Sequence, residues 1–141
     1  MSTSIREIYD AFDAYFQANM PGLDLANTAF LGVQYVVEAN TPYIALSMPG
    51  FAGRMLTIGQ PGIYEHSGVF QVSCNWPNGR GKEEVSQQMD QVQGIFPNGL
   101  SITTASGLFI RLPRAAPRPL LLGNAWISGI IQARWFAHEF V

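Results

Sequence analysis

Eight residues, "VFQVSCNW" at 69–76, restrict the fold more than any other stretch. Phe70, Val72, Cys74 and Trp76 alternate with Val69, Gln71, Ser73 and Asn75. Apolar residues at every second position scatter around a helix but collect on one face of a strand. The chain is therefore expected to contain a sheet with one buried face, and something apolar must cover that face.

Two amphipathic segments can supply the cover. Ile5, Ile8, Tyr9, Phe12, Tyr15 and Phe16 recur at helical spacing and predict a helix over about 4–18. Ser4 and Glu7 have the spacing of a capping box, and "NMPGLD" ends the segment because proline breaks the hydrogen-bond ladder. "WPNGRG" interrupts the alternating strand. After it Val85, Met89, Val92 and Phe96 predict a second helix over about 82–96, with Glu83 and Glu84 suited to the positive end of its dipole.

The remaining pattern is β. "TPYIALSM" alternates, "MPGFAG" reads as a turn, and "RMLTIG" follows as a short apolar segment. "QPGIYEH" reads as a second turn. "LSITTASGLFIRL" predicts a hairpin turning near "ASG", "PRAAPRPLLLGN" a proline-rich connection without period, and "AWISGIIQARWFAHEF" a long final strand. The expected architecture is α+β, a single domain over 1–141. It is a mostly antiparallel twisted β-sheet with two amphipathic helices packed on it.

Charge narrows the functional classes. Charged residues make up 13% of the chain and apolar ones 48%, so charge is about half as frequent as in an average domain. Either many loops dilute the charge or part of the surface is covered by partners. Net charge is −2, which makes no global case for nucleic acid or an acidic membrane. The distribution is uneven. Arg111, Arg114, Arg118 and Arg134 lie in a stretch, 101–138, that has no acid, whereas the first 65 residues are rich in acids. No apolar run approaches the roughly 18 residues of a membrane span, and the N-terminus lacks a signal-peptide pattern, so a cytosolic product is expected.

Catalytic and cofactor signatures fail one by one. Gly81 and Lys82 match the centre of a phosphate-binding loop, but Trp76 stands at its first glycine and Glu83 at its metal-binding hydroxyl. Cys74 falls on the buried face, where a thiol is inert, and His66 is too far along an extended chain to activate it. His66 and His138 have no metal-ligand spacing and read as solvated or edge residues. Asp10 and Asp13 read as the wet side of the first helix. No enzyme, cofactor or metal is expected.

Surface remains. Arg114 and Arg118 stand beside Leu120, Leu121 and Leu122, and three successive leucines in a connection must be buried under the domain or in a neighbour. The apolar segment between Gly50 and Gly62 carries Phe51, Arg54, Met55 and Leu56. These nine residues are the candidate subunit or partner interface.

Taken whole, the chain resembles the tail terminator (tail completion) proteins of long-tailed bacteriophages. The likeness is carried by the N-terminal helix, "TPYIALSM", "GIYEHSGVFQVSCNWPNGRGKEEV" and the ending "LFIRLPRAAPRP…GNAWISGIIQARWFA". Gly62, Gly68, Phe70, Gln71 and Val72 match the family's strand before the second helix, and Pro113, Pro117 and Trp126 its later loop and final strand. The segment from Asn19 to Asn40 departs most. The resemblance implies a virion structural protein, assembled in the bacterial cytoplasm, without catalysis or cofactor. It would form a ring with copies of itself, a hexamer, at the head-proximal end of the tail. Its implied partners are the tail tube protein, whose polymerisation it stops, and the head-tail connector protein. It implies no membrane and no sequence-specific nucleic-acid binding, with DNA free to pass through the ring. Two other readings stand beside it: a head-completion or neck connector protein, and a small-molecule-binding β domain or an enzyme with a dispersed site.

Overall fold

The computed structural model describes residues 5–33, 35–38, 40–57, 59, 62–80, 82–123 and 125–140. Ser4 of the capping box, Gly81 of the tested phosphate loop, Gln60 and Pro61 of the second turn, and Asn124 lie outside them. Helix α1 (Ile5–Asn19) is followed by a 3₁₀ turn (Leu25–Asn27), β1 (Thr28–Ala29), β2 (Tyr43–Met55) and β3 (Ile63–Pro77). A second 3₁₀ turn (Asn78–Arg80) leads into α2 (Lys82–Gly94), β4 (Leu100–Thr103), β5 (Phe109–Pro117), β6 (Leu121–Leu122) and β7 (Trp126–Phe140). The strands form one seven-stranded sheet in the order β1-β2-β3-β7-β5-β4, with β6 also on β7. Among the described residues only β1 and β2 run parallel, which bears out the α+β, mostly antiparallel reading.

Both helices cover the same face of the sheet. The core-facing residues of β3 are Phe70, Val72 and Cys74, those of β7 are Ile127, Ile131, Ala133, Trp135 and Ala137, and all are buried. Along β7 every second residue from Ile127 to Glu139 is buried, the alternation a sheet with one covered face requires. From α1, Phe12 stacks on Phe70 at 4.6 Å between centroids and meets Trp135 at 5.6 Å. From α2, Val85 and Val92 are fully buried, and Phe96 just beyond it packs on Phe70. The Tyr15 hydroxyl donates to the Ile95 carbonyl and ties α1 to the turn that follows α2. Ile5, expected on the apolar face of α1, is 57% exposed and stands clear of the core.

Two proline segments turn out to be strand. "MPGFAG" is not a turn: β2 runs through it, pairing Ser47 with Gln71 and then Gly50 with Val69. Three steps on β2 therefore match two on β3, a β-bulge of one extra residue, and Pro49, which has no N–H to donate, sits within it. "PRAAP" is likewise not an irregular connection. In β5 Arg111 pairs with Phe136 and Arg114 with Arg134, so a second bulge contains Pro113. Leu121 and Leu122 then pair with Ser128 and Ile127 as β6. "QPGIYEH" enters β3 at Ile63, so its last four residues are strand.

Candidate functional site

Among the described residues the face of the sheet opposite the helices is bare except at one end, where Tyr35 stacks on Tyr43 and Tyr43 meets Trp126, and the register determines what it displays. Facing out from β7 are Ser128, Ile130, Gln132, Arg134, Phe136 and His138, all half-exposed or exposed. Beside them on β3 lie Ser73, Gln71, Val69, Ser67 and Glu65. Gln132 donates to Gln71 at 2.9 Å, and Ser128 donates to the buried Asn75 at 2.7 Å, so the middle of this face is polar and hydrogen-bonded.

The β5 bulge gives the face its charge. In a regular strand Arg111 and Arg114 would point to opposite sides, because residues three apart alternate. The extra residue restores Arg114 to the side of Arg111, while Ile110, Leu112 and Ala115 stay buried on the other. Arg118 continues the row, its amide donating to the Ile130 carbonyl at 2.8 Å. Arg114, Arg118 and Arg134 border one hollow of about 420 Å³ floored by Ala116 and Gln132. Arg114 and Arg134 are direct cross-strand partners, an arrangement of like charges that disfavours the sheet.

The other candidate interface residues are split between the sheet's two ends. Met55 and Leu56 are 49% and 41% exposed where β2 stops, at the same end of the sheet as exposed Phe109 on β5 and Phe140 on β7. Leu121 and Leu122 are 57% and 76% exposed at the opposite end, level with the start of β7. Phe51 and Leu120 are only partly buried but pack on the chain's own core, Phe51 against Trp135 and Tyr9. Arg54 is bonded within the chain to Glu65 at 3.0 Å. The structure thus does not bring the two candidate segments together.

Titratable groups missed in the sequence pair across β3 and β7. His66 is buried rather than solvated, with Nε2 3.4 Å from Glu139 on the covered side. His138 meets Glu65 at 2.9 Å on the bare side. The hydrogen bond with His138, helped by that from Arg54, outweighs desolvation and holds the Glu65 carboxyl below its usual range. Asp13 is not simply wet: it accepts the Leu31 amide at 3.1 Å, and burial pushes its carboxyl above the usual aspartate range. These partners are distant in sequence, and no local spacing announces them. Among the described residues no group of three His, Cys, Asp or Glu side chains is placed to hold a metal ion, and no helix is long and apolar enough to cross a membrane.

Cys74 lies on the covered face as expected, with no exposed surface, and burial pushes its thiol up to about 12. At pH 8 the thiolate fraction is then on the order of 1 in 10,000, so the folded protein should resist thiol reagents and react promptly only in denaturant. Cys74→Ser should cost about 1–3 kcal/mol by burying an unpaired hydroxyl, without impairing assembly. Fast labelling of the native protein would contradict this placement.

Comparison with known proteins agrees with this architecture. No curated protein matches the chain. Sixteen solved chains are similar to it. One of them, 21% identical, superposes with a TM-score of 0.72 over 99% of each chain, so the fold is shared from end to end. The family model of the phage tail terminator protein matches residues 7–119, from α1 through β5. The chain belongs to the phage tail terminator family and is a structural protein of the phage tail.

Proposed function

We propose that this protein is itself the terminator: copies of it form a ring at the head-proximal end of the tail tube, end tube growth and present the surface to which the head joins. The family match over residues 7–119 carries the reading. The two apolar ends of the sheet support it. A component between tube and connector needs two contact surfaces facing apart. Met55, Leu56, Phe109 and Phe140 are separated from Leu121 and Leu122 by most of the length of β7, roughly 40 Å. Apolar side chains exposed in such groups are the usual cores of protein contacts.

Electron microscopy of particles made with the gene silenced tests the role. Overlong tails without heads are expected. Tails of normal length lying beside heads would assign the chain to the neck instead. Complementation with Leu121→Asp/Leu122→Asp and with Met55→Asp/Leu56→Asp should separate the surfaces, one pair failing to stop the tube and the other failing to join heads. All four side chains are exposed, so the fold should survive.

A further inference from the structure

The four arginines of the bare face have no counter-charge. Arg111, Arg114, Arg118 and Arg134 are exposed, and among the described residues none makes an ion pair or a side-chain hydrogen bond. Two of them oppose each other across β5 and β7 without a carboxylate between them. Cross-strand like charges are retained at a cost to the sheet, and an anion bound between them would relieve it. The row from Arg111 to Arg118 is roughly 20 Å long at strand rise, the axial length of about six base-pair steps.

A second copy of the chain is a poor source of that anion, because most of its carboxylates are already engaged. Glu7 accepts from Ser106 at 2.7 Å, Asp10 pairs with Arg6, Asp13 accepts the Leu31 amide, and Asp24 accepts from Ala26 and Asn27. Glu65 and Glu139 hold His138 and His66. At the centre of the face the large apolar side chains Val69, Ile130 and Phe136 are only half-exposed, and the most exposed ones lie at the ends of the sheet. What it offers is guanidinium forks beside the side-chain amides of Gln132 and Gln71, while the Ser73 and Ser128 hydroxyls already donate to Asn75. Arginine binds phosphate oxygens bidentately, and neutral donors beside it add contacts that carry no base preference.

We propose that the bare sheet face is a binding site for the phosphate backbone of double-stranded DNA, gripped by Arg111, Arg114, Arg118 and Arg134 without reading sequence. Net charge conceals this site, since acids that stand mostly on the two helices cancel the arginines in the sum, and Glu65, which shares the bare face, is held by Arg54 and His138. Four contacts make a weak, salt-sensitive grip that lets the duplex slide. The inference rests on one chain's surface and does not require a ring.

The test is fluorescence anisotropy of a labelled 30-base-pair duplex titrated with the purified full chain over a range of salt. Binding with a Kd on the order of 10–100 µM at low salt is expected, independent of sequence. Each phosphate contact contributes about −0.9 to the slope of log K against log salt, so four predict a slope of about −3.6. Arg114→Gln with Arg134→Gln should weaken binding by on the order of tenfold and bring the slope to about half, while melting no lower than the parent because the like-charge pair is gone. Absence of binding at low salt overturns the proposal, as does binding that the double substitution leaves unchanged. If the duplex is ignored while the same variant fails in tail assembly, the face is a protein contact and the proposal also falls. Overlong tails on silencing would in that case leave the terminator role standing.

Discussion

Gly68→Ala should destabilise the protein by about 3 kcal/mol or more, lowering the melting temperature by roughly 10 °C, although it adds a single methyl group. Gly68 lies on the covered side of β3, opposite Phe51 on β2 and Trp135 on β7. A Cβ there would overlap the Gly50 carbonyl oxygen and come within 2.9 Å of the Trp135 indole. Neither neighbour can yield cheaply. The Gly50 carbonyl is backbone at the edge of the β2 bulge, and Trp135 is wedged between Phe12 and Phe51 with its Nε1–H on the Met48 sulfur at 3.1 Å. Gly129→Ala is the matching control. Its Cβ would meet the thioether end of Met89, which can swing aside, so a loss under about 1.5 kcal/mol is expected. Urea denaturation of the two variants checks the contrast, and equal effects would mean that β2 and β3 do not approach as closely as described.

Phe12→Ala carries the second large effect, about 3–5 kcal/mol. Phe12 is fully buried at the centre of α1, stacked on Phe70 at an interplanar angle of 17° and tilted against Trp135. Removing the ring opens a cavity between helix and sheet, and an aromatic pair adds about 0.5–1.5 kcal/mol to its area term. Ile5→Ala on the same helix should change stability by no more than about 0.5 kcal/mol, because Ile5 is largely exposed. Thermal melts of both variants decide whether α1 is held by its middle or along its whole length.

These residues also show how much could be read in advance. The alternation through Phe70, Val72 and Cys74 identified the covered face correctly, and the spacing of Ile8, Phe12 and Phe16 identified the helix that covers it. Both patterns depend only on near neighbours along the chain, because an apolar face repeats every two residues in a strand and about every 3.6 in a helix. Ile5 met the helical period yet lies beyond the sheet, since the period says which way a side chain points and nothing of how far its cover extends. Pro49 and Pro113 misled for a related reason. Proline forbids a ladder hydrogen bond, which suits a turn or a bulge equally, and only the partner strand decides between them.

What the sequence by itself determined is the α+β class, the two helices, the buried thiol of Cys74 and the concentration of arginines between 101 and 138. The tertiary structure decided where those arginines point. Arg111 and Arg114 share a face only because β5 carries one more residue than β7 between their pairs, and Arg134 joins them from twenty positions further along the chain. The apolar residues at 51–56 and 120–122 were separated in the same way, some drawn into the core and the rest left at opposite ends of the sheet. Register is a property of two strands at once. It is set by long-range burial that no window of sequence contains, and a shift of one residue reverses every side chain it governs.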